Sequence, residues 1–158
     1  MKLLVTLYCL LMASLGWAES TLPVGCQAIK VQGETVTLKS KNSQLVFIHN
    51  LTPTDLWITH PVTDPGASAG WTSRLQTDHW SALAVDKPPF LLSCIESSPG
   101  HEQQIPCKNA IAVCQWDGVQ NPTKEQGTFW AGEDMSLAAL TAAIGARGFV
   151  LPVENKGT

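Results

Sequence analysis

Positive charge is scarce in this chain. Its 158 residues carry 10 lysines and arginines against 13 aspartates and glutamates. Lys2 belongs to an N-terminal segment expected to be removed, and its loss takes the formal net charge from −3 to −4. An acidic chain with no basic stripe has nothing to grip a phosphate backbone, so no nucleic acid is expected as partner. No cluster of lysines or arginines is present to attract an anionic leaflet. Long apolar runs are lacking as well. The run over residues 3–13 is about 11 residues, where a membrane span needs roughly 20.

Catalytic signatures are equally missing. There is no Gly-x-Ser-x-Gly elbow, no His-Glu-x-x-His zinc helix and no phosphate-binding glycine loop. Asp78-His79, His101-Glu102 and Glu133-Asp134 put acids beside possible bases. Neighbours in a strand point to opposite faces, however, so adjacency does not build an acid–base pair. His49, His60, His79 and His101 read as surface or hydrogen-bonded imidazoles unless the fold brings them together. A blue-copper site needs a histidine soon after a late cysteine. None follows Cys114, and Met135 is far away. The sequence therefore predicts no catalytic residue, no metal and no cofactor.

What is present begins with an address. Met1-Lys2 gives a positive start, an apolar run follows, and Gly16-Trp17-Ala18 puts small residues where a signal peptidase reads. This predicts a signal peptide over residues 1–18, cut between Ala18 and Glu19. Cys9 is not a lipid-anchor site, because Leu7-Tyr8 stand where small residues are needed. The remainder, 158 less 18, is 140 residues, the size of one domain. That domain, residues 19–158, is expected in the periplasm or outside the cell.

Four cysteines remain: Cys26, Cys94, Cys107 and Cys114. An even count in a small exported domain reads as two disulfides. A metal site is the rival, since His101 lies among three of them, but no Cys-x-x-Cys pair is present. Three pairings are possible. A hairpin with Gly100 and His101 at its centre sets Cys94 opposite Cys107 and leaves Cys26 to pin the first strand to Cys114. A longer loop around Gln104 joins Cys94 to Cys114 and Cys26 to Cys107. Joining Cys94 to Cys26 leaves Cys107 and Cys114 closing a tight ring.

Residues 24–116 read as short strands. Thr35-Val36-Thr37-Leu38-Lys39 alternates, Leu45-Val46-Phe47-Ile48-His49 is a compact apolar run, and Leu56-Trp57-Ile58-Thr59 follows the turn Thr52-Pro53-Thr54-Asp55. Residues 80–85, 90–96 and 110–116 are further candidates. Gly33-Glu34, Asp64-Pro65-Gly66, Lys87-Pro88-Pro89 and Pro99-Gly100 mark breaks. Such spacing predicts a mainly β fold, an antiparallel sandwich or barrel. One short C-terminal helix is expected, with Asp134 as its cap and Leu137, Leu140 and Ile144 as its apolar stripe. Gly145 or Gly148 ends it, and Phe149-Val150-Leu151 returns as a strand.

Five tryptophans lie beyond the signal segment. Trp57, Trp116 and Trp130 sit in apolar runs and are expected in the core. Trp71 and Trp80 bracket a polar stretch. With Arg74 and His79 they are the candidate partner surface, since an indole can pack on protein or stack on a sugar ring.

Several strings resemble the enhanced-entry protein B family of Legionella and related bacteria. They are Phe47-Ile48-His49-Asn50-Leu51, Asp55-Leu56-Trp57-Ile58-Thr59-His60-Pro61, Ala69-Gly70-Trp71-Thr72-Ser73-Arg74-Leu75, Ser93-Cys94-Ile95-Glu96, Phe129-Trp130-Ala131-Gly132-Glu133-Asp134-Met135 and Arg147-Gly148-Phe149-Val150-Leu151-Pro152. The resemblance implies a role in host-cell entry or intracellular survival, as a virulence-associated member of a three-protein set. Its companions resemble a transpeptidase-like protein and a helical-repeat protein tied to cell-wall maintenance. It carries over no active site. The expectation is an exported, non-enzymatic module that supports envelope integrity by binding a protein partner, such as that helical-repeat companion. The rival is a module that binds peptidoglycan or another carbohydrate through exposed tryptophans. N-terminal sequencing of the exported protein should begin at Glu19; a product that keeps Met1 overturns the export reading.

Overall fold

The computed structural model describes Leu22, Pro23 and residues 25–39, 44–60, 71–85, 89–116 and 134–146. The expected signal peptide, Trp130 and the expected strand at 149–151 lie outside these residues. In chain order the elements are β1 (Cys26–Ile29), β2 (Thr35–Leu38), β3 (Gln44–Asn50), β4 (Leu56–His60), β5 (Trp71–Leu75), β6 (Trp80–Val85), β7 (Phe90–Ser98), β8 (His101–Ile105), α1 (Cys107–Ala110), β9 (Ile111–Trp116) and α2 (Leu137–Ala146).

The fold is mainly β, with two antiparallel sheets. One has the order β1-β9-β3-β6 and the other β2-β7-β4-β5, with β8 also on β7. The long β7 receives β4 on one edge. On the other edge β2 pairs with residues 90–93 and β8 with residues 94–98, end to end. Neither sheet closes into a barrel, and the two pack as a sandwich.

Strand alternation then makes two apolar layers. Val46, Ile48, Leu83, Ile111 and Val113 of the first sheet meet Val36, Leu38, Leu56, Ile58, Leu75 and Leu92 of the second. The opposite face of the first sheet presents Leu45, Phe47, Trp80, Ala82, Cys114 and Trp116 to Leu140 and Ile144 of α2. Phe47 and Trp116 lie there with ring centroids 6.4 Å apart. The layer order is helix, four-stranded sheet, second sheet. The outer face of the second sheet is polar by comparison. One cross-strand row on it is Thr72, Thr59, Ser93 and Thr35. The next is Arg74, Trp57, Ile95 and Gln104.

Each apolar layer holds one disulfide. Cys94–Cys107 lies between the sheets and Cys26–Cys114 under α2, with Cα separations of 5.4 and 5.6 Å. The hairpin register differs from the sequence expectation. Ser98 faces His101 and Cys94 faces Ile105, so Pro99 and Gly100 are the turn. Pro99 presets its φ and Gly100 takes the positive φ of 78° that a side chain disfavours. Cys107 therefore lies two residues past the position opposite Cys94. It opens α1, a helical turn the sequence reading did not anticipate. The N–H groups of Cys107 and Lys108 donate to the carbonyls of Glu34 and Gly33, which holds Cys107 over the sheet.

The α2 cap is also different. Ser136 Oγ accepts from the Ala139 N–H at 3.3 Å, three residues on, as an N-cap does. Asp134 lies further upstream, and its carboxylate is used elsewhere. Two disulfides fit an oxidising, extracytoplasmic environment. No helix among the described residues is long and apolar enough to cross a membrane.

The bridges close loops of very different length, with sequence separations of 88 and 13. Loop-closure entropy assigns them about 4.6 and about 2.9 kcal/mol respectively. A variant with Cys26 and Cys114 both changed to alanine should lose more stability in urea than one lacking Cys94 and Cys107. Titration of the denatured native protein should find no free thiol at these four positions.

Candidate functional site

Two regions gather polar side chains. The first surrounds the turn from β5 to β6. His79 N–H closes it onto the Gln76 carbonyl at 3.1 Å, and Asp78 adopts a φ of 59° that aspartate tolerates better than most residues. His49 on β3 faces Trp80 on β6, and their rings stack at 4.2 Å with 3° between planes. His49 Nε2 lies 2.8 Å from Asp78 Oδ1. His79 Nδ1 lies 2.9 Å from Asp134 Oδ1. Asp134 also accepts from the backbone N–H of Gln76 at 3.1 Å and from its side-chain amide at 2.6 Å. A backbone bridge completes the seam: Trp80 and Met135 exchange N–H···O bonds of 2.8 and 3.0 Å. The carboxylate expected to cap α2 instead ties the chain before α2 to the turn.

A histidine oriented by an aspartate is half of a nucleophile-activating system. Among the described residues the other half is not beside it. Ser81 is buried one residue after Trp80, but it faces Ile48 while Trp80 faces His49. Its hydroxyl therefore points into the sandwich and His49 points toward α2. Nδ1 of His49 has no hydrogen-bond partner among the described residues, and Asp78 is 88% exposed. The geometry is that of a structural clip.

The second region is an open groove of ≈ 730 Å³. The β7–β8 hairpin lines it with residues 97–102, and Asp55, Trp57 and Arg74 line it from the strands across β7. Arg74 donates to Asp55 Oδ2 from Nε at 3.1 Å and from Nη2 at 2.6 Å. Thr54 donates to Glu96 Oε1 at 2.9 Å at this end of the sheet. Asp55 precedes β4, and Ser97 N–H bonds its carbonyl at 2.9 Å. That bond fixes the hairpin base against the start of β4.

The proposed partner-surface residues separate. Arg74 is exposed in the groove, whereas His79 is half-buried in the clip. Trp80 is only 2% exposed, packed between His49 and the α2 layer, which corrects its assignment to a surface. Trp71 begins β5, and its side chain lies outside the described residues. Trp116 is in the core as expected. Trp57 is not: Leu56 and Ile58 take the inward positions of β4, which turns Trp57 outward. Period-2 alternation across Leu56-Trp57-Ile58 was the signal for it. The four histidines do not meet. His60 stacks on Phe90 at 4.0 Å and contacts the Leu91 carbonyl, and His101 stands exposed at the hairpin tip. All four described cysteines are in disulfides, and no group of three acidic, histidine or cysteine side chains among the described residues is placed to hold a metal. No protein-family model, curated protein or solved structure matches the chain.

Trp80→Ala should cost about 3–5 kcal/mol, as for a buried aromatic. Asp134→Ala removes three hydrogen bonds at the clip and should cost about 2 kcal/mol. Urea denaturation measures both. Amide exchange should quicken in α2 of the Asp134 variant before it does in β3; equal acceleration of both refutes the clip.

Proposed function

We propose that this chain is an exported, non-enzymatic binding module of the periplasm or the extracellular space. It engages an envelope protein partner and so supports envelope integrity and host-cell entry or intracellular survival. The envelope and host-cell part rests on the resemblance to the enhanced-entry protein B family, which also suggests a helical-repeat protein as partner. The observation that carries the binding part is the groove on the outer face of the second sheet. An aromatic ring, Trp57, stands there on a largely polar face, beside an ion pair and a hairpin tip. Tryptophan and arginine are among the residue types that concentrate binding energy at protein interfaces.

A second reading, a peptidoglycan strand in the same groove, is favoured by Trp57 alone. An indole face stacks on sugar rings, and carboxylate and guanidinium groups bond paired hydroxyls. Capture from envelope extract separates the two. The wild-type chain should retain a protein that is lost with Trp57→Ala and with Ser97→Tyr, which fills the groove. Pelleting with purified peptidoglycan, abolished by the same changes, favours the glycan. Capture of either that ignores both substitutions removes the groove from the function.

A further inference from the structure

Resting on the groove as the working surface, we infer that its occupant is an extended, cationic segment of the protein partner, with a lysine or arginine set against Trp57. The charges around the groove are unbalanced. Asp55 and Glu102 line it. Arg74 is the one guanidinium or ammonium group among the lining residues. Both of its contacts go to a single oxygen, Oδ2 of Asp55. Glu102 is exposed on β8, opposite Ser97. An anionic segment would meet two carboxylates in this space. A cation gains both carboxylates and the electron-rich face of Trp57.

The dimensions favour an extended chain. The lining residues Arg74 on β5, Trp57 on β4, Ser97 on β7 and Glu102 on β8 span four neighbouring strands, or three spacings, about 14 Å. That is the length of about four extended residues. Hydroxyls of Ser97 and Ser98 and the exposed turn at Gly100 border the same path and offer hydrogen bonds to a peptide backbone. Arg74 then has a defined part: its positive charge sets how strong a cation the groove accepts. Its removal should tighten binding, while removal of Glu102 should loosen it. Damage to the fold would loosen both.

The test is titration of the isotope-labelled mature protein with three probes. They are an acetylated, amidated heptapeptide of alternating lysine and threonine, the same peptide with glutamate for lysine, and an N-acetylglucosamine tetramer. The lysine peptide should shift the Trp57 indole N–H and the amides of Gly100, His101 and Glu102. Its affinity should fall about fivefold with Glu102→Gln and rise with Arg74→Gln. Added salt should weaken it. The glutamate peptide should leave these resonances unmoved. The inference is overturned if the lysine peptide does not shift them, if both peptides shift them alike, if the two variants change affinity in the same direction, or if only the sugar binds. Where the lysine peptide fails but envelope capture still depends on Trp57, the binding-module reading stands and the cationic occupant falls. Where the peptide binds but capture ignores Trp57, the reverse holds.

Discussion

Burial of β3 on both faces is the constraint from which the architecture follows. Residues 45–50 are all buried. A strand in that position needs an apolar layer on each side, so the four-stranded sheet must be the middle layer. Its inward positions, Val46 and Ile48, meet the second sheet, and its outward positions, Leu45 and Phe47, need a cover that α2 provides. The helix is short and alanine-rich, with exposed Ala138, Ala139 and Ala142, and it docks through Leu140 and Ile144. Leu137 and Ala143 are partly buried beside them. The Asp134 bonds and the Trp80–Met135 bridge supply further attachment, and this explains why an acidic residue before the helix is spent on the turn rather than on a cap.

The same layer order decides which sheet face is left uncovered. One face of the middle sheet is in the sandwich and the other is under α2. The remaining sheet face among the described residues is the outer face of β2, β7, β4 and β5, with its rows of threonine, serine, arginine and glutamine. Trp57, the one tryptophan among the described side chains of that face, is only partly buried, unlike Trp116. Trp80 shows the contrast. It sits at the start of β6, and its ring is covered by His49 on one side and belongs to the α2 layer.

Much of the fold was legible because periodicity and turn chemistry are local. The apolar run at 45–49 is what a strand buried on both faces requires. The 3.6-residue stripe of Leu137, Leu140 and Ile144 located α2. The hairpin is legible too, but its centre lies one residue earlier than a direct pairing of Cys94 with Cys107 requires. Proline presets φ for the second position of a turn and glycine supplies positive φ at the third, so Pro99-Gly100 had to occupy the middle. Shifting the centre by one residue moved the partner of Cys94 by two, to Ile105. The Cys94–Cys107 bridge forms all the same, because α1 carries Cys107 back over the sheet. The His49–Asp78 and His79–Asp134 contacts had no such signal. They join residues 29 and 55 positions apart, and nothing local in a histidine's surroundings marks the loop that will meet it.

Stability and the shape of the groove are linked through the β7–β8 hairpin. β8 is an edge strand, and its first four residues are exposed and polar. Its packing alone would leave it free to fray, although the polar side chains protect it from pairing with other sheets. Cys94–Cys107 anchors one end of it in the sandwich core, and the backbone bonds of Cys107 and Lys108 to Glu34 and Gly33 anchor it to the chain before β2. At the other end, the bond from Ser97 to Asp55 holds the hairpin against β4. Ordering a loop on binding costs free energy that a wall already fixed does not lose again. The disulfide between the sheets thus does two things through one bond. It stabilises the sandwich, and it keeps Ser97, His101 and Glu102 in place beside Trp57.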